Sequence, residues 1–283
     1  MSEKGIIFDI QQLAIYDGPG LRTTIFFKGC PLRCRWCHNP EGLSPRPELM
    51  VSPNGCTHCG QCAAVCPHPD QCNACGRCVR ACPLHLRRIA GTAYTAEELA
   101  SRLLRDRDIL IENGGGITLS GGEPTMQPAF ALELLVRTSA LHRAMETCGF
   151  CPPDVFQQFL QHLDFVLMDI KFVDPALHRA WTGQDNAPIL RNLEQLKRSP
   201  LPFVIRVPLI PGVNDTPENL NATAELLEDA PGLQYAELLP YHQTAGAKYG
   251  MLRRPYDPGF STAQKPNADL TPFRKRHIPA RVL

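Results

Sequence analysis

The sequence has 283 residues, a formal net charge of +1 and 20% charged residues. This length suits two domains or one large α/β domain with a smaller insert, and the near-neutral charge excludes a general polyanion-binding surface, so we expect no nucleic-acid partner. No apolar run reaches the roughly 18 residues that cross a bilayer and no secretory signal opens the chain, so we expect a cytoplasmic protein without a membrane segment. In that reducing compartment, 13 cysteines indicate metal or redox chemistry rather than disulfides.

The cysteines are concentrated in one part of the chain. Eleven of the 13 lie between Cys30 and Cys82, and the other two are Cys148 and Cys151. A strand rich in β-branched and aromatic residues is predicted over 23–29, so Cys30 follows in the loop at its end. The segment 53–90 is dense in cysteine, glycine and proline and lacks long apolar periodicity, which predicts an inserted domain held together by inorganic clusters.

Beyond residue 90, predicted helices and strands alternate. In chain order they are a helix that opens at the capping box of Thr95 and Glu98, a strand over 117–120, a helix over 128–142, a strand over 144–147, a helix over 153–163, a strand over 165–171, helices over 175–181 and 189–198, a strand over 203–208, a helix from the cap Thr216 to 229, a strand over 235–240 and a short final strand within 278–283. This repeat predicts a parallel sheet, either open or curved into a barrel, that binds ligands at the carboxyl ends of its strands.

Three cysteines follow the first predicted strand. Cys30, Cys34 and Cys37 have the spacing C-x3-C-x2-C within one loop. A cubane cluster of four irons takes four ligands, so three cysteines would leave one iron open to another molecule. The alternative is a zinc knuckle in which the adjacent His38 supplies the fourth ligand.

The insert repeats a second cysteine pattern. The spacing C-x2-C-x2-C-x3-C-P occurs twice and is that of bacterial ferredoxins with two clusters, in which the fourth cysteine of each run serves the other cluster. Crossed pairing places Cys56, Cys59, Cys62 and Cys82 around one [4Fe-4S] cluster, and Cys72, Cys75, Cys78 and Cys66 around the second. Because only five residues separate Cys66 from Cys72, uncrossed ligation stays open, as does zinc.

Cys148 and Cys151 form a C-x-x-C pair, which is also found in redox sites. Cys148, however, continues the predicted strand over 144–147. We therefore favour the interpretation that both are small buried apolar residues.

Several motifs in order resemble one family. The motifs are the segments 17–23, 28–31, 36–41 and 115–124, the last ending in Gly-Gly-Glu-Pro, followed by 169–171, 206–212 and 239–242. Together they resemble the radical S-adenosylmethionine (SAM) superfamily and, more closely, its glycyl-radical enzyme activating enzymes of the pyruvate formate-lyase activase type. The resemblance covers about residues 5–256.

The resemblance implies an α/β fold, a partial (β/α)6 radical SAM barrel over 1–52 and 91–283 with a bacterial-ferredoxin-like 2[4Fe-4S] domain inserted at 53–90. The open iron of the first cluster would bind SAM. Reductive cleavage would then give a 5′-deoxyadenosyl radical that removes a hydrogen atom from a glycine of a partner enzyme. The cofactors implied are three [4Fe-4S] clusters and SAM.

The resemblance also assigns roles to residues. Cys30, Cys34 and Cys37 would ligate the first cluster and are the catalytic cysteines. The cofactor-binding residues would be Trp36, His38, Asn39, Gly121, Gly122, Glu123, Asp169, Lys171, Arg206 and His242. Some relatives bind a monovalent cation near the cofactor carboxylate, and its ligands here would be Glu146, Thr147 and Asp169.

The partners implied are a glycyl-radical enzyme as protein substrate and a flavodoxin or ferredoxin as electron donor, and we expect a monomer. The insert would be an electron relay or a docking module. Two other functions stay open: a radical SAM enzyme that acts on a small molecule or on a sulfatase, and an electron carrier that uses only the insert.

Overall fold

A computed structural model of the protein describes residues 3–283. The strands are β1 (Lys4–Ala14), β2 (Arg22–Phe27), β3 (Glu48–Val51), β4 (Arg87–Ala90), β5 (Thr92–Thr95), β6 (Gly116–Gly121), β7 (His142–Thr147), β8 (Phe165–Asp169), β9 (Phe203–Leu209), β10 (Leu233–Pro240) and β11 (Ala280–Val282). The helices are α1 (Gln61–Ala64), α2 (Arg77–Arg80), α3 (Ala96–Leu103), α4 (Arg107–Glu112), α5 (Pro128–Arg137), α6 (Pro153–Leu160), α7 (Pro175–Thr182), α8 (Ala187–Arg198), α9 (Pro217–Leu226), α10 (Ala245–Met251) and α11 (Thr271–Arg274).

Nine strands form one sheet in the order β11-β10-β9-β8-β7-β6-β2-β1-β5. The six strands β2 and β6 to β10 are parallel and adjacent in sequence order, which confirms the predicted alternation. Because each crossover moves one strand further in the same direction, right-handed connections place the helices on one face. Strands β1 and β5 extend the sheet antiparallel beyond β2.

The two faces of the parallel strands carry different residues. One face is apolar and packs against α3, α5, α6, α8 and α9 in the main core, with residues such as Ile25, Leu119 and Val207. The opposite face carries the polar side chains of Ser120, Glu146, Asp169, Arg206 and Glu237. This alternation follows from the two-residue period of a strand, and it directs the polar groups into the concave interior.

The parallel sheet is curved, because residues of all six parallel strands line one cavity. Six flat strands would span about 24 Å, since neighbours lie about 4.8 Å apart. One cavity of about 310 Å³ could not touch them all unless the sheet curled around it. The sheet therefore wraps around the cavity, while β5 and β11 remain at its two ends.

Several predicted boundaries needed correction. The predicted helix over 128–142 ends at Arg137, because Thr138 satisfies the last turn with a hydroxyl bond to the Leu134 carbonyl and His142 already opens β7. The prediction that Cys148 continues a strand is wrong, since β7 ends at Thr147. The capping box at Thr95 and the short final strand are confirmed.

Strands β3 and β4 form an antiparallel pair that frames the cysteine-rich segment between them. That segment contains two helices of four residues, α1 and α2, which contact each other. Each follows a glycine with positive φ, 75° at Gly60 and 74° at Gly76. His58 and Ala74 also share a positive φ, so the backbone of the first cysteine run is repeated 16 residues later in the second.

None of the helices within residues 3–283 combines the length and hydropathy that crossing a bilayer requires.

Candidate active site

The central cavity lies at the carboxyl ends of the parallel strands, as predicted for this sheet. It is lined by ten of the predicted site residues, namely Cys30, Cys34, Trp36, Cys37, His38, Asn39, Gly121, Gly122, Asp169 and Lys171. The lining also includes Phe26, Ser120, Glu146, Cys148 and Tyr241 among residues that were not assigned to cofactor binding. The structure therefore brings most of the predicted site together in one place.

The cysteine loop is fixed from both sides by backbone hydrogen bonds. The amide of Gly29 donates to the Gly42 carbonyl at 2.8 Å, which closes the base of the loop. The amide of Arg33 donates to the Thr182 carbonyl at 2.7 Å, which ties the loop to the end of α7. Trp36 is 4% exposed and its ring lies 6.2 Å from the ring of Phe172, so it anchors the loop as well as lining the cavity.

All three cysteines of the loop are free thiols facing the cavity. Burial raises the pKa of the Cys37 thiol to about 12 and that of Cys34 above its ordinary value. A metal that binds here must displace these protons, because thiolates are the ligands. Within residues 3–283, no three His, Cys, Asp or Glu side chains converge closely enough to hold a single metal ion. The thiols instead surround a volume, and soft sulfur ligands around a volume fit an iron–sulfur cluster.

Gly121 and Gly122 allow two backbones to meet at the rim of the cavity. Gly121 has a φ of +112°, and a Cβ on it would lie 2.4 Å from the Phe27 nitrogen. A Cβ on Gly122 would lie 2.3 Å from the Gly29 oxygen. The Gly122 amide donates to the Phe27 carbonyl at 2.8 Å, so β6 and the base of the cysteine loop are held as one surface. Glycine is needed here for this contact between chain segments.

Glu123 does not line the cavity, because its side chain is fully buried behind the rim. Its Oε1 accepts hydrogen bonds from the Thr125 amide and hydroxyl and from the Thr147 hydroxyl. Its Oε2 accepts one from the Cys148 amide at 2.8 Å. One carboxylate thus joins the ends of β6 and β7.

Asp169 and Lys171 form an ion pair in the wall of the cavity. The Lys171 Nζ lies 2.9 Å from Asp169 Oδ2, and the lysine side chain is 8% exposed. Burial alone would lower the pKa of Lys171, but Asp169 and the neighbouring Cys34 outweigh it and raise the pKa above its ordinary value. The site therefore keeps one fixed ammonium group beside the cysteine loop.

Arg206 lies on the inner face of β9 and also does not line the cavity. Its Nη1 donates to Glu146 Oε1 at 2.7 Å, its Nε donates to Glu237 Oε2 at 2.9 Å and its Nη2 donates to the Tyr16 carbonyl. Burial would raise the pKa of Glu146, but Arg206 outweighs it and lowers the pKa. Arg206 therefore supports the cavity wall by holding Glu146 in place.

The three residues expected to bind a cation all have protein partners. Glu146 is paired with Arg206, and Asp169 with Lys171. The Thr147 hydroxyl donates to Glu123 at 2.8 Å. At least one side-chain oxygen of each residue therefore already has a protein partner.

Tyr241, directly after the end of β10, lines the cavity, whereas His242 lies exposed outside it. The Tyr241 amide donates to the Leu209 carbonyl at 3.0 Å and its ring meets the ring of His38 edge-on at 5.6 Å. His242 instead bonds the Thr244 hydroxyl. Successive residues of an extended segment face opposite sides, and this alternation could have identified Tyr241 from the sequence. On the far rim, Asn39 accepts a hydrogen bond from Lys248 at 2.8 Å.

Cys148 is a site residue that sequence reasoning missed. Its thiol lines the same cavity as Cys30, and its interaction with Cys30 lowers the pKa of Cys30. Cys151 packs in the main core as expected. The sequence feature that could have identified Cys148 is its position directly after the carboxyl end of β7, where parallel sheets bind their ligands.

The insert contains two further cavities lined by cysteines. One of about 220 Å³ is lined by Cys56, Cys59, Cys62 and Cys82, which is one of the two crossed sets predicted from the sequence. The other, of about 210 Å³, is lined by Cys66, Cys72, Cys75 and Cys78, with Cys62 at its edge. The backbone therefore brings together cysteines that are distant in sequence. The residues present fit two cubane clusters.

Comparison with known proteins gives three findings. The family model for the radical SAM superfamily matches residues 24–227. The chain is 37% identical to a choline trimethylamine-lyase activating enzyme of Oleidesulfovibrio alaskensis over 100% of this chain and 99% of that protein, and 42% identical to an isethionate sulfite-lyase activating enzyme of the same organism over 88% and 87%. A domain of pyruvate-formate lyase-activating enzyme from Bacteroides vulgatus superposes with a TM-score of 0.50 at 27% identity, covering 60% of this chain and 99% of that structure.

Proposed function

The chain belongs to the radical SAM superfamily and, within it, to the glycyl-radical enzyme activating enzymes, and from this premise we propose how its residues perform the reaction. The enzyme activates a partner glycyl-radical enzyme. The cluster, when bound, supplies the electron that cleaves SAM into methionine and the 5′-deoxyadenosyl radical, which removes a hydrogen atom from a glycine of the partner. The two other functions considered from the sequence are disfavoured, because the similar proteins are themselves activating enzymes.

Cys30, Cys34 and Cys37 are the proposed ligands of this cluster. The observation that carries the proposal is that these three thiols share one cavity with the carboxyl ends of all six parallel strands. Three thiolates would leave one iron of the cluster without a protein ligand and open to SAM. The thiol of Cys148 lines the same cavity, and a hydrogen bond from it to Cys30 would act on the cluster through that ligand.

SAM occupies the remainder of the cavity in this proposal. Asp169 and Lys171 offer a carboxylate and an ammonium group for its ribose and methionine ends, and Trp36, His38 and Tyr241 offer aromatic surface for its adenine. Asn39 and the backbone of Gly121 and Gly122 complete the wall. Glu123 and Arg206 act one layer further out by holding the strand ends and Glu146.

Two more [4Fe-4S] clusters are proposed in the insert, with crossed ligation. The support is the division of the eight insert cysteines between two cavities along the crossed pattern. In this proposal the insert relays or receives electrons from a flavodoxin or ferredoxin, and the enzyme acts as a monomer. A monovalent cation would have to share Glu146 with Arg206 and Asp169 with Lys171. The rate of SAM cleavage with and without potassium tests whether such a cation binds.

The decisive experiment is anaerobic reconstitution followed by reduction and assay of 5′-deoxyadenosine. The wild-type chain should bind about twelve irons, and Cys34→Ala should lose the product while retaining about eight. Cys151→Ala is the matched control, since it removes a buried thiol that does not line the cavity. Unchanged product in Cys34→Ala, or zinc in place of iron at this loop, would refute the assignment.

A further inference from the structure

Arg87 lies at the start of β4, in the wall between the two cavities of the insert. Of the described residues that line these cavities, Cys62 and Arg87 are shared by both. The backbone of Arg87 is fixed because it pairs with Val51 across the β3–β4 ladder. Its position is therefore set by the strand pair that frames the insert rather than by a mobile loop.

Arg87 lies close to cysteines of both sets. It lines one cavity with each set, and the charges of Cys62, Cys78 and Cys82 act on its side chain. Cys78 belongs to one crossed set, and Cys62 and Cys82 belong to the other. An arginine stays charged at every relevant pH, so this is a fixed positive charge.

The charges of the insert explain why such a cation would be useful. Residues 52–90 contain four arginines and one aspartate, whereas the whole chain has a net charge of +1. Among the ion pairs of residues 3–283, Arg88 lies 3.6 Å from Glu41, but no carboxylate pairs with Arg87. A cubane with four thiolates is an anion, and each reduction adds a negative charge that a nearby cation stabilises. Arg87 is thus free to offset charge in both cavities.

We infer that Arg87 is a positioning residue shared by the two insert clusters, and that its charge stabilises the reduced form of each. The inference rests on the proposed ferredoxin-like insert and extends it to one side chain. A single positive charge would thereby raise both midpoint potentials, so that either cluster would be reduced more readily by a low-potential carrier protein.

The test is a redox titration followed by EPR, in this chain carrying Cys34→Ala so that the signals come from the insert. Arg87→Gln should lower the midpoint potential of both clusters by about 30–59 mV. For one electron, this is about a three- to tenfold change in the equilibrium constant of reduction. Arg87→Lys keeps the charge and should leave both potentials near those of the parent. Arg253→Gln is the matched control and should not lower both potentials, because Arg253 lines one cavity only.

Iron content separates the outcomes. Arg87→Gln with about eight irons and unchanged potentials, or with one potential shifted and the other unchanged, overturns the inference. If Arg87→Gln loses iron, Arg87→Lys decides: parental potentials in that variant support the role of charge, and two lowered potentials refute it. A wild-type chain with about four irons would refute the insert clusters themselves, while 5′-deoxyadenosine formation would still support the activase function.

Discussion

Replacing Arg206 by methionine should destabilise the barrel, because this guanidinium joins three strands on the inner face of the sheet. It lies 2.7 Å from Glu146 on β7 and 2.9 Å from Glu237 on β10, and the side chain is 5% exposed. Glu237 is fully buried. The substitution leaves two carboxylates facing each other around an apolar side chain, with no cation between them.

The size of the effect follows from this burial. Breaking a buried ion pair by removing one partner costs about 3–5 kcal/mol. Glu237 retains Arg281 at 2.8 Å and Glu146 retains the Ser120 hydroxyl, so we expect the lower end, about 3 kcal/mol. Each kcal/mol moves the Tm of a chain of this size by about 2–4 °C, which predicts a loss of about 6–12 °C.

The measurement is anaerobic thermal unfolding followed by circular dichroism, at one scan rate and with equal iron loading. Arg281→Met is the matched control: Arg281 pairs with the same Glu237, but its side chain is 51% exposed, so its loss should cost less than about 1 kcal/mol. A Tm for Arg206→Met within about 2 °C of the wild type would refute the reasoning. So would an equal loss in the two variants, since burial would then not decide the cost.

The same pair gives a pH dependence. Burial raises the pKa of Glu146, but Arg206 outweighs it, so the folded pKa lies below the unfolded value. Stability from ionised Glu146 is therefore present above the unfolded pKa of about 4.3 and is lost as pH falls through the folded pKa. The Tm difference between wild type and Arg206→Met should be largest near neutral pH and should narrow below about pH 4.3. A difference that grows on acidification contradicts this.

Three further predictions concern the cavity. Tyr241→Ala should weaken SAM binding about fivefold by equilibrium dialysis, because one aromatic contact is worth about 1 kcal/mol, whereas exposed His242→Ala should change it less than twofold; equal effects would contradict the assignment. Cys148→Ala should lower the EPR-monitored potential of the first cluster by removing a thiol that stabilises the Cys30 thiolate, and Cys148→Ser, which keeps a donor, should lie nearer the wild type; identical potentials in all three would exclude that interaction. Gly122→Ala should reduce iron loading and Tm, since its Cβ would lie 2.3 Å from a backbone oxygen, and full loading would show that the loop can move aside.

The alternating strands and helices were predictable because each buried strand carries a local signal. The strands β6 to β10 are apolar on the face that meets the helices, and their ends are marked by glycine, proline or polar residues. Strand β1 gave no such signal. Its pairing with β2 is irregular between Ile7 and Asp9 and again between Gln11 and Ala14, so its pattern of burial does not keep a period of two. Its position at the edge depends on tertiary pairing that no local window contains.

The cysteines of the site were predictable because their spacing carries the chemistry, but their supporting groups were not. Arg206 was expected to touch the cofactor, and the structure instead gives it Glu237, 31 residues later, as a partner. A charged residue between Ala236 and Leu238, both fully buried, was the signal that the sequence offered. It indicates an inward-facing charge, but not which cation compensates it, because that depends on the register between β9 and β10.

The shape of the cavity is determined largely by carboxylates with partners inside the protein. Glu123 accepts four hydrogen bonds across the ends of β6 and β7, and Glu146 and Glu237 are joined by one guanidinium across β7, β9 and β10. A buried carboxylate is costly unless such donors satisfy it, so each strand end has one arrangement of low free energy. Radical chemistry needs that rigidity, because a reactive 5′-deoxyadenosyl group must meet one hydrogen atom and no other. Loosening this outer layer should therefore increase the fraction of SAM cleaved without activation of the partner, even where every residue that lines the cavity is unchanged.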